Sequence, residues 1–274
     1  MTLLRSIGFA PTRPILALLL TIMIEFVFAV TAGSFGFPPT VAKLLACAIA
    51  LAVLLGLGKL EKRPLAELGF RSNGLAGFAL GLLAGCLLIA LIVGLLALTG
   101  TYQILKLGFT ADFLIWTVTL LFAAMAEEFL FRGVLFRMTE DAWGSVPALI
   151  FSSFVFGLIH LANPGATMLS SLAIGLGGGV MLGGVYVLTR SLWVVSGLHL
   201  GWNLAQSMFG LQVSGVTHPE IIHARVTGPT LWTGGNFGPE AGLAALIVTL
   251  LVSFGILLAA TRNGQIRGWL STET

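Results

Sequence analysis

Apolar stretches long enough to cross a bilayer recur along the whole 274-residue sequence, and they constrain the fold more than any other feature. A helix needs about 20 such residues to span the hydrocarbon core. Eight stretches can be read, at about 14–32, 40–58, 74–99, 113–138, 146–161, 167–189, 192–210 and 241–260. The fifth is short, and the fourth runs on into a polar end. Charged residues make up only 9% of the chain, against about 25% in a soluble domain, so there are too few to cover a water-facing surface. The expected fold is all-α, a polytopic transmembrane bundle of about eight spans forming one domain over residues 1–274.

Arg5 and Arg13 ahead of the first stretch suggest a signal peptide, but the run is too long and contains Glu25, so it reads as a span. Orientation follows the positive-inside tendency. With the N-terminus in the cytoplasm, the inner segments hold Arg5, Arg13, Lys59, Lys62, Arg63, Arg71, Arg137, Arg190, Arg262 and Arg267. The outer side holds Lys106 and Arg225, with Lys43 at its edge. Both termini are expected in the cytoplasm. The segment 59–71 should lie along the inner interface, and the polar loop 211–240 should face outward. The net charge of +3 comes with no basic block, so nucleic acid is not an expected partner. Cys47 and Cys86 lie in apolar runs and read as small hydrophobes.

The informative charges are those inside spans, where each ionised side chain costs about 2.5–3.5 kcal/mol at mid-bilayer. Three stand together in Glu127-Glu128-x-x-x-Arg132; unpaired, they would cost on the order of 8 kcal/mol on that scale. Glu128 and Arg132 are spaced i,i+4 with the acid first, the favoured order for a helical ion pair. Glu127 points about 100° away around the helix, so it is surplus to the pair and suited to act as a general base. Two histidines also lie in apolar spans, in Phe156-x-x-x-His160 and His199-x-x-x-Asn203. His199 and Asn203 share a helical face, and both can donate hydrogen bonds to an oxyanion.

Depth links these residues. At 1.5 Å per residue from the cytoplasmic helix ends, Glu127 lies roughly 16 Å deep, His160 roughly 21 Å, and His199 and Asn203 roughly 12 and 18 Å. Each taken singly has a structural reading: an ion-pair network, a satisfied interhelical histidine, polar glue between helices. A common depth has no place in those readings. Glu25 is read as structural, and His218 and His223 as solvated loop residues. The glycines at 175, 177–179, 183 and 184 suit close helix packing. The chain contains no HExxH zinc motif and no GxSxG elbow.

The three motifs, in this order and on separate spans, resemble those of the CPBP family, which comprises type II CAAX prenyl endopeptidases and Abi-type, bacteriocin-processing membrane proteases. The motif-bearing core runs from about 111 to 210. The resemblance implies an all-helical intramembrane endopeptidase in a multi-pass, inner bacterial membrane setting. Its substrate would be a peptide or membrane protein, prenylated in the CAAX case. It implies catalytic Glu127 with His160 activating water, His199 and Asn203 binding the oxyanion, and Glu128–Arg132 as a supporting ion pair. The segment Gly234–Glu240 is also similar to bacterial members. Glu127, His160 and His199 could instead ligate zinc with a water in fourth place; direct glutamate–histidine chemistry without a cofactor is the favoured reading. The rival from another class is a transporter or a non-catalytic membrane scaffold using the same polar cluster.

Overall fold

A computed structural model describes residues 12–268, the side chains of 25–35 excepted. Arg5 and the side chain of Glu25 therefore lie outside the described residues. A helix stands at each of the eight apolar stretches. These are α1 (Thr12–Phe35), α2 (Pro39–Leu60), α3 (Gly74–Leu98), α4 (Ala111–Trp143), α5 (Ser145–Ala162), α6 (Met168–Thr189), α7 (Leu192–Met208) and α8 (Leu243–Arg262). Six of them, α2 to α6 and α8, are long and apolar enough to cross a membrane. Over its described side chains α1 counts as a shorter apolar helix, Thr12–Ile24, and α7 has 17 residues.

The fold is not purely helical. Two strands, β1 (Tyr102–Leu107) and β2 (Ile222–Val226), form a small antiparallel sheet from the loop after α3 and the long loop after α7. No run of bilayer length marked them, because each strand is only five or six residues long.

Helix surfaces are apolar outward, as lipid requires. Leu80, Leu87 and Leu91 of α3 and Leu251 and Phe254 of α8 are all exposed. Where helices meet, small residues let backbones touch. Gly77, Gly81 and Gly85 on α3 press on the Val194–Trp202 stretch of α7, and Gly197 and Gly201 on α7 press back on Phe78 and Leu82. A Cβ at Gly81 would stand 2.1 Å from the Val194 carbonyl, and one at Gly201 2.1 Å from that of Leu82. The close approach fixes the depth and rotation of α7, which carries His199 and Asn203. The glycines of α6 act in the same way: Gly175 and Gly179 press on Ser153 of α5.

One end of the bundle is laced by ions. Glu61 binds Arg13 at 3.0 Å and also Arg137, Asp141 binds Arg63 at 2.6 Å and Arg267 at 3.2 Å, and Glu140 binds Arg190. Five basic residues assigned to one side from sequence thus share one end. Helix α7 starts there, two residues after Arg190, and α3 starts beside it, since Gly74 packs on Trp193. Lys106 and Arg225 lie on the sheet that follows the far end of α3.

Candidate active site

The site begins at a change of helix geometry. The α-helical part of α4 ends at Glu128, and Phe129–Phe136 continues as a π-helix. Wider turns of this kind commonly occur at functional sites. In that turn Arg132 donates from Nη1 to Glu128 Oε1 at 2.9 Å and from Nη2 to the Gly179 carbonyl at 3.2 Å. Gly179 belongs to a second π-helical stretch, Gly175–Gly179 in α6. The guanidinium also lies over the Phe156 ring, 4.8 Å from its centroid. Glu128 and Arg132 are 0% and 1% exposed, so their charges depend on these contacts and not on solvent.

Glu128 holds a second partner. His199 Nδ1–H donates to the same Oε1 at 2.7 Å, which orients the ring and directs Nε2 towards Glu127. Glu127 Oε2 lies 3.8 Å from that Nε2 and has no hydrogen-bond partner. His199 therefore bridges two adjacent carboxylates, one already paired with Arg132 and one uncommitted. With Nδ1–H committed to Glu128, Nε2 is an acceptor when the ring is neutral and becomes a donor once it carries a second proton.

His160 closes the α-helical part of α5, and its Nδ1–H donates to the Phe156 carbonyl at 2.7 Å. A carbonyl only accepts, so the proton sits on Nδ1 and Nε2 is left as a base or acceptor. Asn203 stands one turn beyond His199. Glu127, His160, His199 and Asn203, drawn from α4, α5 and α7, all line one cavity of about 810 Å³. Glu128 and Arg132 are absent from its wall and stand behind it. Pockets that hold small ligands run to about 300–1,000 Å³, so this one has room for a peptide segment as well as a reacting water.

Several residues join the site that motif reading passed over or left without a role. The Phe156 ring touches His160 and His199, with centroids 4.8 and 6.1 Å away, besides carrying Arg132. Lys43, placed at the outer edge from sequence, lines the cavity and lies within the electrostatic reach of Glu127; a lysine within an apolar span was its signal. Glu240, at the end of the Gly234–Glu240 segment, also lines it. Its carboxylate accepts from Trp202 Nε1 at 2.9 Å, Gln206 Nε2 at 2.8 Å and Ser214 Oγ at 2.6 Å. His218 is not a freely solvated loop residue: its ring stacks on Trp116 of the cavity wall, 5.4 Å between centroids. His223 pairs with Glu220.

A zinc reading needs three protein ligands converging on one point. Among the described residues no three His, Cys, Asp or Glu side chains do so. Glu127 and His199 approach each other without a third ligand, so the residues present do not fit a zinc site.

Residues 107–205 match the family model of the type II CAAX prenyl endopeptidase, Rce1-like. The matched segment contains all three motifs, Glu127 to Asn203, and agrees with the resemblance they carry. The family is one of proteases, and the match supports a membrane-embedded hydrolase, a CAAX-type endopeptidase in general terms. No curated protein and no solved structure gives a match.

Proposed function

We propose, from the premise of an Rce1-like core, that this chain hydrolyses a peptide bond inside the membrane without a covalent intermediate. One observation carries the reading: an uncommitted carboxylate, two imidazoles and an amide from three helices share a single cavity. Glu127, the one carboxylate of the pair not bound to Arg132, takes a proton from water, assisted by His160 through Nε2. The resulting hydroxide attacks the scissile carbonyl. His199, through a protonated Nε2, and the Asn203 amide then stabilise the tetrahedral oxyanion; its collapse breaks the C–N bond as Glu127 passes its proton to the leaving amine. Glu128 holds His199 in the donating orientation, and Arg132 holds Glu128.

The substrate is a peptide or a membrane-protein segment. CAAX-type prenyl-protein processing and bacteriocin-type peptide processing are the two classes that the family reading carries. We place the chain in a bacterial inner membrane, with the arginine-laced end and both termini in the cytoplasm. A cysteine at position 267 should then react with an impermeant thiol reagent only after the cells are opened; labelling of intact cells would reverse the orientation.

The membrane-peptide fragments of cells carrying the wild-type chain and Glu127→Ala should differ by a defined set, absent from the variant. New ends directly after a C-terminal cysteine would indicate CAAX processing, and internal ends the other class. Identical fragment sets, with flux of a solute through reconstituted vesicles, would favour the transporter. Chelator treatment of the purified protein should leave cleavage intact. Loss of cleavage that zinc restores would replace the glutamate–histidine chemistry with metal chemistry.

A further inference from the structure

The strand β1 carries an apolar surface that its partner strand does not cover. Ile104, Leu105 and Leu107 are 60%, 55% and 73% exposed, and Phe109 just beyond is 61% exposed. In water such a patch would be costly, at roughly 25 cal/mol per Å² of apolar area. Its sequence neighbours show what covers it. Leu91 and Leu98 of α3 lead into the strand, Leu114 and Ile115 of α4 follow it, and all four are exposed on helices that can cross a membrane. The lipid-facing surface therefore runs from α3 to α4 through β1, interrupted by the exposed polar residues Gln103, Lys106, Thr110 and Asp112.

The sheet is also amphipathic from face to face: Ile104 pairs with Ala224 and Leu107 with Ile222, while the polar residues pair with one another. Arg225 and His223 lie on β2, paired with Gln103 and Lys106 of β1. In a two-stranded sheet the outer edge of β1 leaves N–H and C=O groups without a ladder partner, and such groups are not tolerated in hydrocarbon. Both requirements, apolar side chains out of water and backbone edges out of oil, are met at one depth, the boundary between headgroups and acyl chains. Lys106 can extend from that depth to lipid phosphates.

We propose that β1 is an interfacial membrane anchor, with Ile104, Leu105, Leu107 and Phe109 inserted at the headgroup–acyl boundary and the side chains of His223 and Arg225 turned to the aqueous side. The anchor is coupled to the cavity. The Tyr102 hydroxyl donates to the Phe209 carbonyl at 2.9 Å, at the end of α7 and six residues after Asn203. Burial, and then the charge of Glu220, pushes this phenol up to about 12, so it remains a donor at working pH. The membrane surface thus holds the end of the helix bearing His199 and Asn203, and the cavity rim stays at the interface.

The test does not depend on any activity. In a Cys47→Ala, Cys86→Ala background, single cysteines at Leu107→Cys and Arg225→Cys are labelled with NBD in the full chain. The labelled proteins are reconstituted in vesicles of phosphatidylcholine and phosphatidylglycerol. The label at 107 should be quenched more strongly by lipid with a shallow doxyl group than with a deep one, and only weakly by iodide present on both sides. The label at 225 should show the reverse preference for iodide. Iodide quenching at 107 equal to that at 225 would put the strand in water. Protection of 107 from both quenchers would mean that protein, such as a second copy, covers it. Either result overturns the anchor.

Discussion

Glu127 and Glu128 are adjacent in sequence and opposite in circumstance. Glu128 accepts from both Arg132 and His199 through Oε1 and is wholly buried, whereas Glu127 borders the cavity with its Oε2 3.8 Å from His199 Nε2. Removing Arg132 would leave Glu128 charged and without its cation in a dry interior, a loss that costs about 3–5 kcal/mol when one partner of a buried pair is deleted. Arg132→Ala should lower the unfolding midpoint in detergent clearly, and a wild-type midpoint would contradict the burial of the pair. This division between the two acids was legible from their spacing, since i,i+4 selects Glu128 for Arg132. The second role of Glu128, orienting His199, was not. It depends on where α7 lies against α4, and no local spacing reports that.

At the level of elements, segment length and hydropathy located the eight long helices to within about five residues at each end, because lipid imposes a length that soluble folds do not. Three features escaped that reading. The π-helical stretches of α4 and α6 carry no recognisable residue code. The β1–β2 sheet joins loops more than 100 residues apart and is too short to register as a span. The spacing Gly77-x-x-x-Gly81-x-x-x-Gly85 was present in the sequence, but it becomes informative only when matched to Gly197 and Gly201 on a distant helix. That contact yields a sharp contrast. Gly201→Ala places a methyl 2.1 Å from the Leu82 carbonyl, while Gly94→Ala on the lipid-facing side of α3 meets nothing within 4 Å. Overpacking of this kind costs about 1–3 kcal/mol. Gly201→Ala should therefore lower both stability and cleavage, with Gly94→Ala near wild type. Equal behaviour of the two would show that the α3–α7 contact does not set the position of His199.

For the whole molecule, ion pairs gather at one end, a small sheet caps the other, and the cavity lies between them within the helices. Common depth along separate spans anticipated that the polar residues of three helices could meet. The cavity itself, with Lys43 and Glu240 in its wall, depends on how helices and the long outer loop close around it. Central to the account is that Glu127 is the base which turns a water in that cavity into the nucleophile. The most direct test is cleavage by purified, reconstituted Glu127→Gln, assayed on a substrate found by the fragment comparison. Glutamine keeps the size and much of the hydrogen bonding but does not take up the proton. The account predicts no detectable product from a protein that unfolds at the wild-type midpoint; turnover at the wild-type rate would contradict it.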